Sequence, residues 1–75
     1  MRKEEYRELK PIYERYAKLR DEDGVLDSHV ANETGVDQPT LIAWRNGDYN
    51  PKVDKIMKIA NYFGVSLDYF YNEGE

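Results

Sequence analysis

The stretch DSHVANETGVDQPTLIAWRNG, running from Asp27 to Gly47, decides the fold. It reads as two short helices joined by a tight turn. The first spans Asp27 to Thr34, with Val30 and Ala31 facing inward. Gly35 stops it and makes the turn, where a Cβ would meet a positive-φ penalty. Val36 plugs the corner, and Asp37 is suited to cap the next helix. Pro39 then falls in that helix's first turn, where proline is tolerated. Leu41 and Trp44, three positions apart, anchor the second helix, and Asn46-Gly47 ends it. Two such helices pack near-perpendicular only if the first presents a small residue at the crossing, which Ala31 does. The outer face of the second helix is left free and is of a size to enter a DNA major groove about 12 Å wide.

The flanks are helical as well. Ile12, Tyr16 and Leu19 lie on one helical face, extended by Tyr13 and Ala17. Pro11 either starts this helix or kinks a longer one. Asp21-Glu22-Asp23-Gly24 ends it, with Gly24 suited to a left-handed cap. Beyond the central motif, Asn50-Pro51 reads as a cap followed by a first-turn proline. The helix it starts carries Val53, Ile56, Met57, Ile59, Ala60 and Phe63 on a wide apolar face, and Gly64 stops it. Val65 packs, Ser66 caps, and a short fifth helix runs from Leu67 to about Asn72. No alternating strand pattern competes. The expected fold is therefore all-α: a compact five-helix bundle over residues 11–72, with the motif at 27–47 and an N-terminal helical extension at 1–10.

Composition narrows the function. At 75 residues, 40% apolar and 35% charged, the chain suits one small globular domain. It has no cysteine and one histidine, so neither disulfides nor a thiolate metal site can staple it. No other ligand is spaced to join His29 in a metal site, which makes it a surface histidine. Asp21, Glu22 and Asp23 sit on a helix end beside Arg20 and read as a solvated cap, not an acid–base pair. With no nucleophile–base pair and no glycine-rich phosphate loop, neither an enzyme nor a cofactor or small-molecule substrate is expected. The charged start, Met1 to Lys10, lacks a signal-peptide core, and no run of about 18 apolar residues exists, so a cytoplasmic protein outside the membrane is expected. The net charge of −4 runs against nucleic-acid binding, which usually draws on a basic surface. Divided into 1–24, 25–36, 37–58 and 59–75, the chain is net positive only over 37–58, by a single charge, and that segment holds the candidate reading elements.

The ordered set Val30-Ala31, Gly35-Val36, Thr40-Leu41, Trp44, Asn46-Gly47, Pro51, Ile59-Ala60, Phe63 to Asp68 and Phe70 resembles the phage-repressor (Cro/repressor-like, XRE) type of helix-turn-helix. The match covers about Tyr16 to Tyr71. The resemblance implies a lambda-repressor-like bundle whose third helix reads DNA, control of transcription by a repressor of phage or mobile-element type, and a dimer on a palindromic operator. Carried over by position, the base-contacting residues are Gln38, Pro39, Thr40, Ile42 and Ala43. Gln38 has an amide able to bond adenine, Thr40 bonds a phosphate or supports the helix start, and Ile42 and Ala43 can meet thymine methyls, favouring an A/T-leaning site. Backbone contacts fall to Arg45, Asn46, Tyr49, Lys52 and Lys55. Two positions depart from the family: Leu26 stands where a capping threonine is frequent, and Asp27 where a phosphate-contacting glutamine is frequent. Asp27 faces a phosphate unfavourably, or caps the helix instead.

Bland readings compete at several of these positions. Gln38 and Asn46 can serve local backbone bonds, Arg45 and the lysines can be a solvated face, and Ile42 and Ala43 can be a protein-facing patch. The consecutive aromatics Tyr69, Phe70 and Tyr71 cannot all point inward. With the family's use of this helix, they suggest a homodimer seam, the alternative being that they cover their own core. A second function class also fits the acidic balance: a protein–protein interaction module on the same scaffold, without sequence-specific DNA binding.

Overall fold

The computed structural model describes residues 9–71. Its elements are α1 (Tyr13–Asp23), α2 (Asp27–Thr34), α3 (Gln38–Arg45), α4 (Val53–Phe63) and a closing 3-10 turn (Leu67–Phe70). The expected N-terminal extension falls almost wholly outside the described residues. No strand occurs among them, and none of their helices is long and apolar enough to cross a membrane.

The core draws one or more residues from every element. Tyr16, Val30, Val36, Leu41, Ile56, Ile59 and Phe70 are fully buried, with Trp44 and Ala60 nearly so. Aromatic rings hold its centre. Tyr16 stacks on Trp44 at 5.5 Å between centroids, while Tyr13 meets the Trp44 ring edge-on at 5.4 Å. Such pairs add to the burial of large rings. The Trp44 indole Nε1 donates to the carbonyl of Pro11 at 3.1 Å, so the polar end of a buried tryptophan is satisfied by the chain entering α1.

The turn between α2 and α3 forms as its residues dictate. Gly35 has φ 81°, in the left-handed region, and its N–H donates to the Ala31 carbonyl at 2.9 Å. The Thr34 hydroxyl donates to the Val30 carbonyl at 2.7 Å and accepts from the Val36 N–H at 3.2 Å, closing the turn on both sides. Val36, fully buried, fills the corner.

Four sequence expectations are corrected. The fifth helix is a single 3-10 turn of four residues, making four α-helices among the described residues rather than five. Phe70 must return to the core within one turn, and its carbonyl accepts the Ile12 N–H at 2.8 Å instead of continuing a helix. Pro11 lies outside α1, which Ile12 caps, because its carbonyl is directed to Trp44. Pro51 is buried in the approach to α4 rather than in its first turn. There Lys52 takes the N-cap position, its carbonyl accepting the N–H groups of Lys55 and Ile56. Asp27 does not cap α2: Leu26 holds the N-cap position, and the Asp27 carboxylate turns to α1.

Candidate nucleic-acid interface

α3 is fixed from behind. Leu41 and Trp44, three positions apart, sink into the core, which sets the rotation of the helix about its axis. Gln38 and Pro39 are thereby exposed at its start, and Arg45 and Asn46 at its end. Thr40, Ile42 and Ala43 are half-buried, so the middle of the outward face is apolar and shallow. The helix end is closed by its own backbone: Asn46 donates to Ile42, Gly47 to Trp44 and Asp48 to Ala43, at 2.9–3.1 Å. That closure sets the start of the loop to Tyr49, which is 42% exposed. Lys52 follows exposed, and Lys55 is half-buried on α4.

Electrostatics at the two ends of α3 differ. Arg45 sits in the last turn, where a cation is favourable. At the start, Asp37 occupies the N-cap position with its side chain exposed. Its carboxylate makes no strict bond to the helix N–H groups; Oδ1 accepts the Thr40 hydroxyl at 2.7 Å. That hydrogen bond, aided by the charge of Lys55, holds the Asp37 carboxyl below the ordinary carboxylate range. The Thr40 hydroxyl hydrogen is thus engaged by Asp37 within the domain. Of the two roles expected for Thr40, this geometry serves the support of the helix start.

A second cluster lies between α1 and α2, at the position where Asp27 departs from the family. Asp27 Oδ1 accepts the Tyr16 hydroxyl at 2.6 Å and Arg20 Nη1 at 3.0 Å, and Arg20 also donates to the Tyr13 hydroxyl at 3.1 Å. Arg20 reaches Asp21 at 3.0 Å as well. Burial, followed by the hydrogen bond to Asp27, pushes the Tyr16 hydroxyl well above its usual pKa. The Asp27 charge is therefore partly offset within the domain by Arg20, which Asp21 shares, and this lessens the repulsion a free carboxylate would present to a phosphate. This cluster was missed in the sequence, although Tyr13, Tyr16 and Arg20 recur at helical spacing of three and four. Leu26, beside it, is 73% exposed.

The aromatic run at the end divides. Phe70 is fully buried, so its side chain is withdrawn from any seam between copies, while Tyr69 and Tyr71 are half-buried. The Arg15 guanidinium lies over the Tyr69 ring at 5.0 Å. Burial pushes the Tyr71 hydroxyl up to about 12. His29 is exposed, its ring 6.2 Å from that of Tyr62. Among the described residues, no three histidine or acidic side chains converge as a metal site.

Comparison with known proteins agrees with this arrangement. A helix-turn-helix family model matches residues 17–70. The cryptic phage CTXphi transcriptional repressor RstR of Vibrio cholerae is 32% identical over 57 residues, covering 76% of this chain and 51% of the repressor. An HTH-type transcriptional regulator of Methanocaldococcus jannaschii is 35% identical over 48 residues, 61% of this chain and 73% of that protein. Among solved structures, an HTH_3 family transcriptional regulator from Vibrio cholerae superposes with a TM-score of 0.71 at 27% identity, over 80% of this chain and 34% of that one. The chain thus spans about half the length of the phage repressor and a third of the solved regulator. With the model match extending from α1 to the closing turn, the chain belongs to the helix-turn-helix family.

Proposed function

We propose that this chain is a sequence-specific DNA-binding transcriptional regulator of the repressor type, reading the major groove with α3. The observation that carries the reading is the mounting of α3: Leu41 and Trp44 lock it into the core while Gln38 and Pro39 stand exposed at its leading end. Rigid mounting is what base reading needs, because base contacts specify only when register is fixed. The relatives named as transcriptional regulators support the same class. In this reading Gln38, Pro39, Ile42 and Ala43 meet base edges, and Arg45, Asn46, Tyr49, Lys52 and Lys55 meet the backbone. Thr40 holds the helix start. The regulator acts in the cytoplasm as a homodimer on a two-fold operator, with Tyr69 and Tyr71 at the seam.

Selection from a random duplex library, at low and moderate salt, tests the proposal. A reproducible motif is expected, with binding weakening steeply as salt rises. Gln38→Ala and Ile42→Glu should abolish selection while the fold persists. A chain that selects no sequence and shows no salt dependence would instead be an interaction module for another protein.

A further inference from the structure

Immediately ahead of α3, at its N-cap position, stands one group to which the reading above gives no contact with DNA, and its chemistry is selective. Asp37 is exposed immediately ahead of the base-reading residues Gln38 and Pro39. Its direction is fixed one helical turn ahead by Thr40, whose hydroxyl donates to Oδ1 at 2.7 Å. A carboxylate has about four acceptor sites, so accepting capacity remains after that bond. The Asp37–Thr40 unit therefore presents acceptors to whatever lies against it, and Thr40 has no hydroxyl hydrogen left to offset them. From Gln38 to Trp44 no side chain is cationic, and Lys55, whose charge acts on Asp37 from α4, is the residue assigned above to the DNA backbone.

Base edges respond to this unequally. In the major groove guanine shows two acceptors, and thymine an acceptor beside a methyl group. Adenine shows a donor next to an acceptor, and cytosine a donor alone. A fixed carboxylate is repelled by the first two, partly matched by the third and matched by the fourth. We propose that Asp37 is a specificity-determining residue that selects cytosine at one base pair of each half-site and rejects guanine and thymine there. This rests on the DNA-reading function proposed above. The selected cytosine lies beside, not within, the A/T-leaning positions facing Ile42 and Ala43. Because Thr40 holds the Asp37 carboxyl below its ordinary range, the acceptor stays ionised throughout neutral pH.

The test is library selection with the full chain and with Asp37→Asn and Asp37→Ala, followed by competition between duplexes differing at the selected position. Asparagine caps a helix about as well as aspartate, and circular dichroism melts establish that each variant is folded. The expected result is a cytosine preference on the order of tenfold or more at one position per half-site. That preference should be lost or moved to adenine in Asp37→Asn and lost in Asp37→Ala, with the remaining positions unchanged. A wild-type motif that persists unaltered in both variants, or whose strongly selected positions include no C·G pair, overturns the role of Asp37 and leaves the DNA-reading function standing. Failure of the wild-type chain to select any sequence overturns both.

Discussion

The Tyr16 hydroxyl and the Asp27 carboxylate, 2.6 Å apart, join the middle of α1 to the first residue of α2. Arg20 closes the same carboxylate from the other side at 3.0 Å. The Asp27 side chain keeps 14% of its accessible surface, so this is a partly buried ion pair with a neutral donor attached. Its consequence is functional as well as structural. The domain can carry an acidic residue at the head of α2 because that charge is answered from α1.

Removing parts of this cluster should give graded losses. Tyr16→Phe keeps the ring against Trp44 and deletes one hydrogen bond, a cost of about 1 kcal/mol. Asp27→Ala strands the buried Tyr16 hydroxyl and takes the main partner of Arg20, so a larger loss is expected, about 2 kcal/mol. Urea denaturation of the two variants measures the order. An Asp27→Ala protein as stable as wild type would show that the cluster contributes nothing.

Trp44 is the sole tryptophan, is 3% exposed, and bonds Pro11 across the core. Its fluorescence should therefore be blue-shifted in the folded state and move to the red on unfolding. Trp44→Phe leaves the Pro11 carbonyl without its donor and opens a gap beside Tyr13 and Tyr16. A loss of about 2–3 kcal/mol is expected from the combined terms, read by circular dichroism because the probe itself is gone.

Gly35 separates backbone strain from crowding. A Cβ at this position would meet nothing within 4 Å, so Gly35→Ala carries no clash. Its φ of 81° alone is costly for an L-residue, by about 1–2 kcal/mol. For a chain of this size that corresponds to a lowering of Tm by roughly 4–15 °C. A melt unchanged by the substitution would mean the turn relaxes freely.

Alkaline pH should weaken the fold in a defined window. The folded-state pKa of Tyr71 is raised from 10.0 to about 12 by burial, and that of Tyr16 is raised further. A raised folded-state value means the unfolded chain loses its proton first. The stabilisation from each tyrosine is complete below pH 10 and is lost as pH rises, for Tyr71 through about 12. Tyrosinate absorbance should show a late component that shrinks in Tyr71→Phe. A single tyrosinate transition near pH 10, with the fold intact, would contradict this.

The seam proposed at Tyr69 and Tyr71 predicts self-association that rises with concentration. Sedimentation equilibrium should resolve a monomer–dimer exchange, weakened in Tyr71→Ala. A chain that stays monomeric at the highest attainable concentration assigns both rings to their own core.

The sequence by itself determined the helices and the turn. Local signals suffice for these: Gly35 ends α2 because only glycine accepts that φ cheaply, and Leu41 and Trp44 face inward because their spacing puts them on one side of a helix. The face bearing Gln38 and Pro39 follows from the same periodicity. Tertiary structure decided what local signals leave open. The Pro11 carbonyl is taken by an indole 33 positions away, which moves the start of α1. The Phe70 carbonyl is taken by Ile12, which holds the last element to a single 3-10 turn. The Asp27 carboxylate is drawn to α1 by Tyr16 and Arg20 instead of capping its own helix. In each case a polar group near an element's end is bonded to a partner on another part of the chain. Periodicity carries no information about such a partner, and only the packed core brings it to hydrogen-bonding distance.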